Sequence, residues 1–336
     1  MSKDKELNLN DKDIRDKDIS SITRLFQEIK EYRNSAEFMK KLDFYSNFPE
    51  LAVYNAALVE QQRPGAKLVL SIKDWRKKRR MIKPNARPVI ILKPFSPVEF
   101  LFDIADTKPI NEESEKDDNW VIEDLILKHR RKSSFNADFY LYNLNRNLPK
   151  FGITYKRFIV GSEINSEIRL VNSKDVEKLP IEILKNHEVI HHNYFNISVN
   201  MYAEGVYELA LIIHELGHLF CQHITCEWWH KRSPDKVVKE FEAETVSYLV
   251  CQRLGFYTNS KEYLADYVGE NDEIPQIDIN CVFEAVDIIE KMVKQNLDVT
   301  KCVMYRKDED FKKIVDDEKE KIKKEQETAK ATRQSF

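Results

Sequence analysis

The sequence predicts an α+β protein of two domains, on its length, on short strand-like runs set between helical periods, and on one acidic stretch that separates them. At 336 residues the chain exceeds the roughly 250–300 residues at which one hydrophobic core stops growing. The stretch NEESEKDDN, Asn111–Asn119, follows Pro109 and has no aliphatic or aromatic side chain, as a linker would. The expected organisation is a tail over 1–18, a first domain over 19–110, a linker over 111–119, a second domain over 120–307 and a charged tail over 308–336.

Residues 1–18 hold many charges and few large apolar groups, so they cannot bury enough surface to offset the entropy of ordering. From Ile19 a helical period begins, with Ile22, Leu25, Phe26 and Ile29 at i, i+3, i+4, i+7, and a second helical stretch runs from Phe48 to Val59. The runs AKLVLS and RPVIILKPF read as strands, separated by the basic segment WRKKRRMIKPNAR. Helices packed on a small sheet are therefore expected before the linker. Beyond it, VIEDLILKH reads as helix, and ITYKRFIV, EIRLVN and YFNISVNM as strands. The last alternates Phe195, Ile197, Val199 and Met201 against Tyr194, Asn196, Ser198 and Asn200, as a sheet with one wet face requires. Free backbone groups on that strand would pair with an extended peptide by strand addition. From Asp308 to Thr332, Lys and Glu recur at helical spacing with few apolar residues, so that segment is a solvated helix or unstructured.

Composition excludes several classes. A net charge of −3 with 33% charged residues mixes acids and bases, so any preference for nucleic acid must be local. The N-terminus is too polar for a signal peptide, and no apolar run approaches the ~18 residues of a membrane span. Cys221, Cys226, Cys251, Cys281 and Cys302 are odd in number and confined to the last third, unlike a secreted disulfide framework. A cytoplasmic protein with reduced thiols and no membrane partner is expected.

The segment IIHELGHLF, Ile212–Phe220, carries the chemistry. On a helix, His214 and His218 stack on one face and can reach one ion at ~2.0–2.1 Å, while Glu215 sits beside them as a base for a metal-bound water. The motif alone does not separate this from a helix whose polar groups are satisfied by core hydrogen bonds; a third ligand does. Downstream, VVKEFEAETVSYLVCQRLG offers Glu240, Glu242 and Glu244. Glu242 has Val238, Val246 and Leu249 at i−4, i+4 and i+7, which places it in the buried stripe, and a carboxylate there needs a partner. Glu242 is thus the expected third ligand of a catalytic Zn2+, with Gly255 closing its helix. A histidine six residues after His218 is absent, since Ile224 stands there. Cys221, His223, Cys226 and His230 match no standard paired spacing for a second, structural zinc. His187, His191 and His192 are weaker candidates for substrate contact, and Tyr202 and Tyr207 are candidates to stabilise an oxyanion.

Between Arg63 and Lys93 lie eleven basic residues against one acid, Asp74. Arg63, Lys67, Lys73, Arg76, Lys77, Lys78, Arg79, Arg80, Lys83 and Arg87 would neutralise phosphates, and Tyr45, Phe48, Phe95, and above all Tyr54 and Trp75, would offer stacking platforms for unpaired bases. The bland alternative is a solvated loop with Trp75 in the core.

Two segments carry a family resemblance. Tyr45-Ser46, Asn55 to Leu58, Gln62 to Ala66, Trp75 before a basic stretch, and Val89 to Pro94 resemble the N-terminal domain of ArdC-type antirestriction proteins. IIHELGHLF with EFEAETVSYLVCQRLGFYTNSKEYLADYV is similar to that family's metallopeptidase domain and to the ImmA/IrrE zinc peptidases. Together they cover roughly residues 43–100 and 205–268. The family's turn GRxVxKGEK is here KRRMIKPNAR, without the glycines. The resemblance implies a single-stranded-DNA-binding domain joined to a zincin-like metallopeptidase domain with an antirestriction-like role on a mobile element, and it too points to Glu242, the Glu of Glu-Ala, as ligand. The expected partners are single-stranded DNA and a protein or peptide substrate. The alternative is a non-catalytic DNA-protecting protein in which zinc only holds the fold.

Overall fold

The computed structural model describes residues 35–93, 96–110, 118–130, 136–159, 165–171, 178–184, 187–224, 232–258, 260, 264 and 273–298. Both expected tails, the helix proposed from Ile19, Cys226, His230, Phe95 and most of the expected linker lie outside the described residues. The architecture mixes helices and strands, as the sequence predicts. The chain forms two compact units, one from residues up to 134 with 252–257 and 262–283, the other from 135–251, 258–261 and 284 onward.

In the first unit, α1 (Ser35–Ser46) and α2 (Val53–Gln62) precede β1 (Val69–Leu70), α3 (Ile72–Lys77), β2 (Arg80–Ile82), β3 (Val89–Lys93), β4 (Ser96–Asp103), β5 (Thr107–Pro109) and α4 (Asp118–Arg130). Strands order β1-β4-β3, all antiparallel, and β2 pairs with β5. Side chains from α2 complete the outer edge of β3. Asn55 donates to the Leu92 carbonyl at 2.9 Å and accepts its N–H at 3.0 Å, and Gln62 does the same for Ile90 at 2.7 and 2.9 Å. Two amides seven residues apart lie on one helix face, so they satisfy backbone groups that an edge strand otherwise leaves open. Trp75 is fully buried among Leu68, Phe102, Ile104 and Ile126, and its indole N–H donates to the Phe102 carbonyl at 2.8 Å.

Ile126 belongs to α4, so the expected linker does not separate one core from another. The buried Arg80 reinforces this, because its guanidinium is held by Asp118, the first residue of α4, and by Thr107. Arg253 adds a late piece of chain, donating to the carbonyls of Tyr45, Phe48 and Leu51 at and just past the end of α1.

The second unit holds α5 (Ala137–Asn147), β6 (Ile153–Phe158), β7 (Ser166–Leu170), β8 (Lys178–Leu184), β9 (His187–His192), β10 (Phe195–Asn200), α6 (Gly205–Phe220), most of α7 (Lys236–Leu254), and α8 (Ile279–Lys294) from Glu284 onward. Strands β8 and β9 form a hairpin, and the main sheet orders β6-β10-β7, with β6 parallel and β7 antiparallel to β10. β10 alternates as predicted, with Phe195, Ile197 and Val199 fully buried, although Met201 leaves the strand and is exposed. β10 does not offer a free edge, because both sides are paired; that expectation is overturned. Helix α6 packs on β7 and β10, and the buried Glu208 in its first turns accepts hydrogen bonds from Arg157 and Tyr155 of β6. Burial and the Glu208 carboxylate push the Tyr155 phenol up to about 12.

Candidate functional site

Apolar residues at Leu209, Ile212, Ile213, Leu216 and Leu219 bury one broad stripe of α6. His214 and His218 fall at its margin, four residues apart and half-buried, so their rings emerge side by side. Helix α7 comes unusually near. A Cβ on Gly217 would stand 3.1 Å from the Cα and carbonyl oxygen of Ala243, so the glycine of HELGH permits the approach of two backbones. With the helices this close, Glu240 and Glu244 of α7, also four apart, face the two histidines.

The donor atoms form a triangle. His214 Nε2 and His218 Nε2 are 3.2 Å apart, and Glu240 Oε2 lies 3.6 Å from the first and 3.5 Å from the second. Ligands at ~2.0–2.1 Å from a tetrahedral ion stand about 3.3–3.4 Å from one another. The three atoms thus fit three corners of such a shell, and these residues form one of the groups able to hold a metal. Glu244 Oε2 meets His214 Nδ1 at 2.9 Å, leaving Nε2 to the triangle. Glu215 is buried, and its Oε1 accepts the Ser166 hydroxyl of β7 at 2.6 Å.

Charge in the cluster is unbalanced toward acid. Burial works against a proton on His214, yet hydrogen bonds to Glu240 and Glu244 and the Glu215 charge outweigh it and push the imidazole up to about 10. Hydrogen bonds from His214 and His218 hold the Glu240 carboxyl well below its ordinary range. The field that favours a proton there equally favours a divalent cation.

Glu242 is not brought to His214 and His218, which corrects the expectation drawn from helical phase. It is fully buried, but both of its oxygens are held by Arg232, and Oε2 also meets His223 Nε2 at 2.8 Å. Burial identifies a carboxylate that needs a partner; it does not say which partner. The Glu240 side chain, by contrast, is 30% exposed and lies beside both histidines. Glu240 and Glu244 share the i, i+4 spacing of the two histidines, and that match is the signal the sequence offers for them. No such signal marks Arg232 or Ser166. Tyr202 and Tyr207 are exposed around the start of α6, with Tyr207 about 10 Å along the axis from His214 at 1.5 Å per residue. His187, His191 and His192 lie on β9, with side chains outside the described residues.

The basic segment divides. Trp75 is core rather than a stacking platform, as the bland alternative has it, and Arg80 is 2% exposed and ion-paired, so neither meets a nucleic acid. Tyr45 and Phe48 are buried. Tyr54 is half-buried, with its hydroxyl on Asn280 and its ring edge-on to Phe283. Arg63 pairs with Asp106 at 2.9 Å, Lys77 with Asp74 at 2.7 Å, and Lys83 Nζ donates to the Ala105 carbonyl at 2.8 Å. Lys67, Lys73, Arg76, Lys78, Arg79 and Arg87 are exposed.

Comparison with known proteins adds little. An uncharacterized protein of Bacillus anthracis is 24% identical over 302 residues, which take in 80% of this chain and 48% of that protein. The chain thus spans about half the length of the curated relative it matches. No family model matches, and no solved structure matches. Among the described residues, no helix is long and apolar enough to cross a membrane.

Proposed function

We propose that the second unit is a zinc-dependent metallopeptidase, with His214, His218 and Glu240 as ligands and Glu215 as base. The donor triangle carries this reading, since two imidazoles and one carboxylate with a fourth position left open are a ligand set of catalytic zinc. When bound, zinc supplies a Lewis acid that acidifies water and polarises a carbonyl. Glu215 takes the proton of the attacking water on its Oε2 and returns it to the leaving amine. Ser166 fixes that carboxylate by donating to Oε1, so Oε2 is the oxygen directed to chemistry. Glu244 keeps the His214 proton on Nδ1.

Strand β7 replaces β10 as the expected peptide-binding edge. Val171 N–H donates to the Tyr194 carbonyl, and the Asn165 carbonyl accepts the Asn200 N–H, so odd-numbered residues along β7 face β10 while Ser166, Ile168 and Leu170 direct backbone groups away. Among the described residues no strand pairs with that edge. An extended substrate adding there would run past Ser166 toward Glu215. Zinc-loaded protein incubated with a peptide library should cleave it, and Ile168→Pro should lower turnover severalfold while zinc content stays native. Absence of cleavage by folded, loaded protein would overturn the peptidase reading, and unchanged turnover in the proline variant would overturn the strand-addition route.

A second proposal concerns the first unit as a single-strand binder. Its support is local: aligning Arg80 with the arginine of GRxVxKGEK places the two glycines at Arg79 and Asn85, which have φ of 57° and 64°. Non-glycine residues rarely adopt that left-handed conformation, so the two positions where the alignment puts glycines both take a backbone conformation glycine favours. With Arg80 and Trp75 withdrawn, contacts fall to the exposed Lys67, Lys73, Arg76, Lys78, Arg79 and Arg87. Affinity of the full chain for single-stranded oligonucleotides should fall by about 0.7 log units per tenfold salt for each phosphate contact, and Arg76→Ala with Lys78→Ala should flatten that slope. No binding at low salt would remove the proposal. Residues 19–110 alone do not suit the test, because they lack α4.

A further inference from the structure

We infer that His223 is a positioning residue for His218, the middle of a chain that runs from the metal ligand through His223 and Glu242 to Arg232; the inference rests on the metal-centre reading above. The chain begins in the way α6 ends. Gln222 takes φ of 62°, the left-handed conformation usually reserved there for glycine. His223 N–H then donates to the His218 carbonyl at 2.9 Å and Gln222 N–H to the Leu219 carbonyl at 3.0 Å, the paired bonds of a Schellman turn. This folds the chain back so that the His223 ring returns to the His218 ring, with Nδ1 to Nδ1 at 2.9 Å.

Proton positions follow from valence. His218 Nε2 faces His214 Nε2 and Glu240 Oε2, so toward a metal it must present a lone pair. A neutral imidazole then carries its hydrogen on Nδ1, which donates to His223 Nδ1. His223 must accept there and so carries its own hydrogen on Nε2, which donates to Glu242 Oε2 at 2.8 Å. Glu242 is in turn clamped by Arg232, whose Nη1 donates to Oε2 at 2.6 Å and to the Cys221 carbonyl at 3.0 Å while Nη2 donates to Oε1. Each imidazole N–H in the chain meets an acceptor, and the hydrogen on His218 Nδ1 is placed by His223, with no carboxylate on that nitrogen. His214 differs, since Glu244 orients it directly.

The same geometry argues against a second metal on Cys221, His223 and Glu242, although their donor atoms lie close enough to be grouped. Arg232 occupies both Glu242 oxygens, and a guanidinium beside a divalent ion would repel it. Groups that orient a metal-bound histidine are commonly worth ten- to a hundredfold in metal affinity.

The test uses the full chain and zinc alone, titrated against a chromophoric chelator. His223→Leu, which can neither accept nor donate, should weaken zinc about ten- to a hundredfold. His223→Gln, whose amide can accept from His218 and donate to Glu242, should restore most of that loss. Circular dichroism of both metal-free variants verifies the fold. Zinc bound by His223→Leu as tightly as by the native chain would overturn the inference alone, as would a folded His223→Gln no better than leucine. A native chain that binds no zinc would overturn the metal-centre reading and this inference together.

Discussion

Glu242→Ala is expected to destabilise the metal-free protein by about 3 kcal/mol, the lower end of the cost of breaking a buried ion pair by removing one partner. The variant leaves the Arg232 guanidinium without the carboxylate that takes two of its hydrogen bonds, and His223 Nε2–H without an acceptor, in a site where Glu242 has no solvent exposure. The lower end applies because the Arg232 side chain keeps 22% exposure and can be partly rehydrated. Denaturant unfolding of chelator-treated native and variant protein gives the difference. A variant as stable as the native chain would mean that the pair contributes nothing to the fold, and that the buried position of Glu242 has another cause.

Glu215→Gln should reduce peptide hydrolysis by about two to four orders of magnitude, the range that a positioned general base supplies. Glutamine is nearly isosteric and its amide oxygen can still accept the Ser166 hydroxyl, so the fold and the three donor atoms should be undisturbed. The variant should therefore hold zinc like the native chain and retain peptide without cleaving it. Turnover within a factor of a few of native, in a variant shown to hold zinc, would take the role of base away from Glu215.

Much of this arrangement is legible in the sequence, and what is not shares a cause. The alternation of Phe195, Ile197 and Val199 foretells β10, because a strand's period is a property of its own residues. HELGH foretells two ring nitrogens on one helix face for the same reason. The third donor depends on something else, the register of α7 against α6. The i, i+4 spacing of Glu240 and Glu244 marks them as a pair, but which face of α7 meets α6 depends on the close approach of Gly217 to Ala243, which no period within α7 encodes. Helical phase correctly places Glu242 in the buried stripe, but the carboxylates that meet the histidines belong to the neighbouring face. Trp75 and Arg80 show the same limit in the first unit. Set in a basic run, they read as nucleic-acid contacts, whereas the partners that bury them, Phe102, Thr107, Asp118 and Ile126, lie 27 or more residues further along.

Everything proposed for the second unit requires that His214, His218 and Glu240 together hold one ion. Zinc titration of Glu240→Ala beside the native chain, by competition with a chelator, tests it most directly. The native chain should bind about one zinc tightly, the count expected of a single three-ligand site, and Glu240→Ala should lose that tight binding while keeping its fold. Native-like zinc affinity in Glu240→Ala would contradict the account and return the third position to another residue.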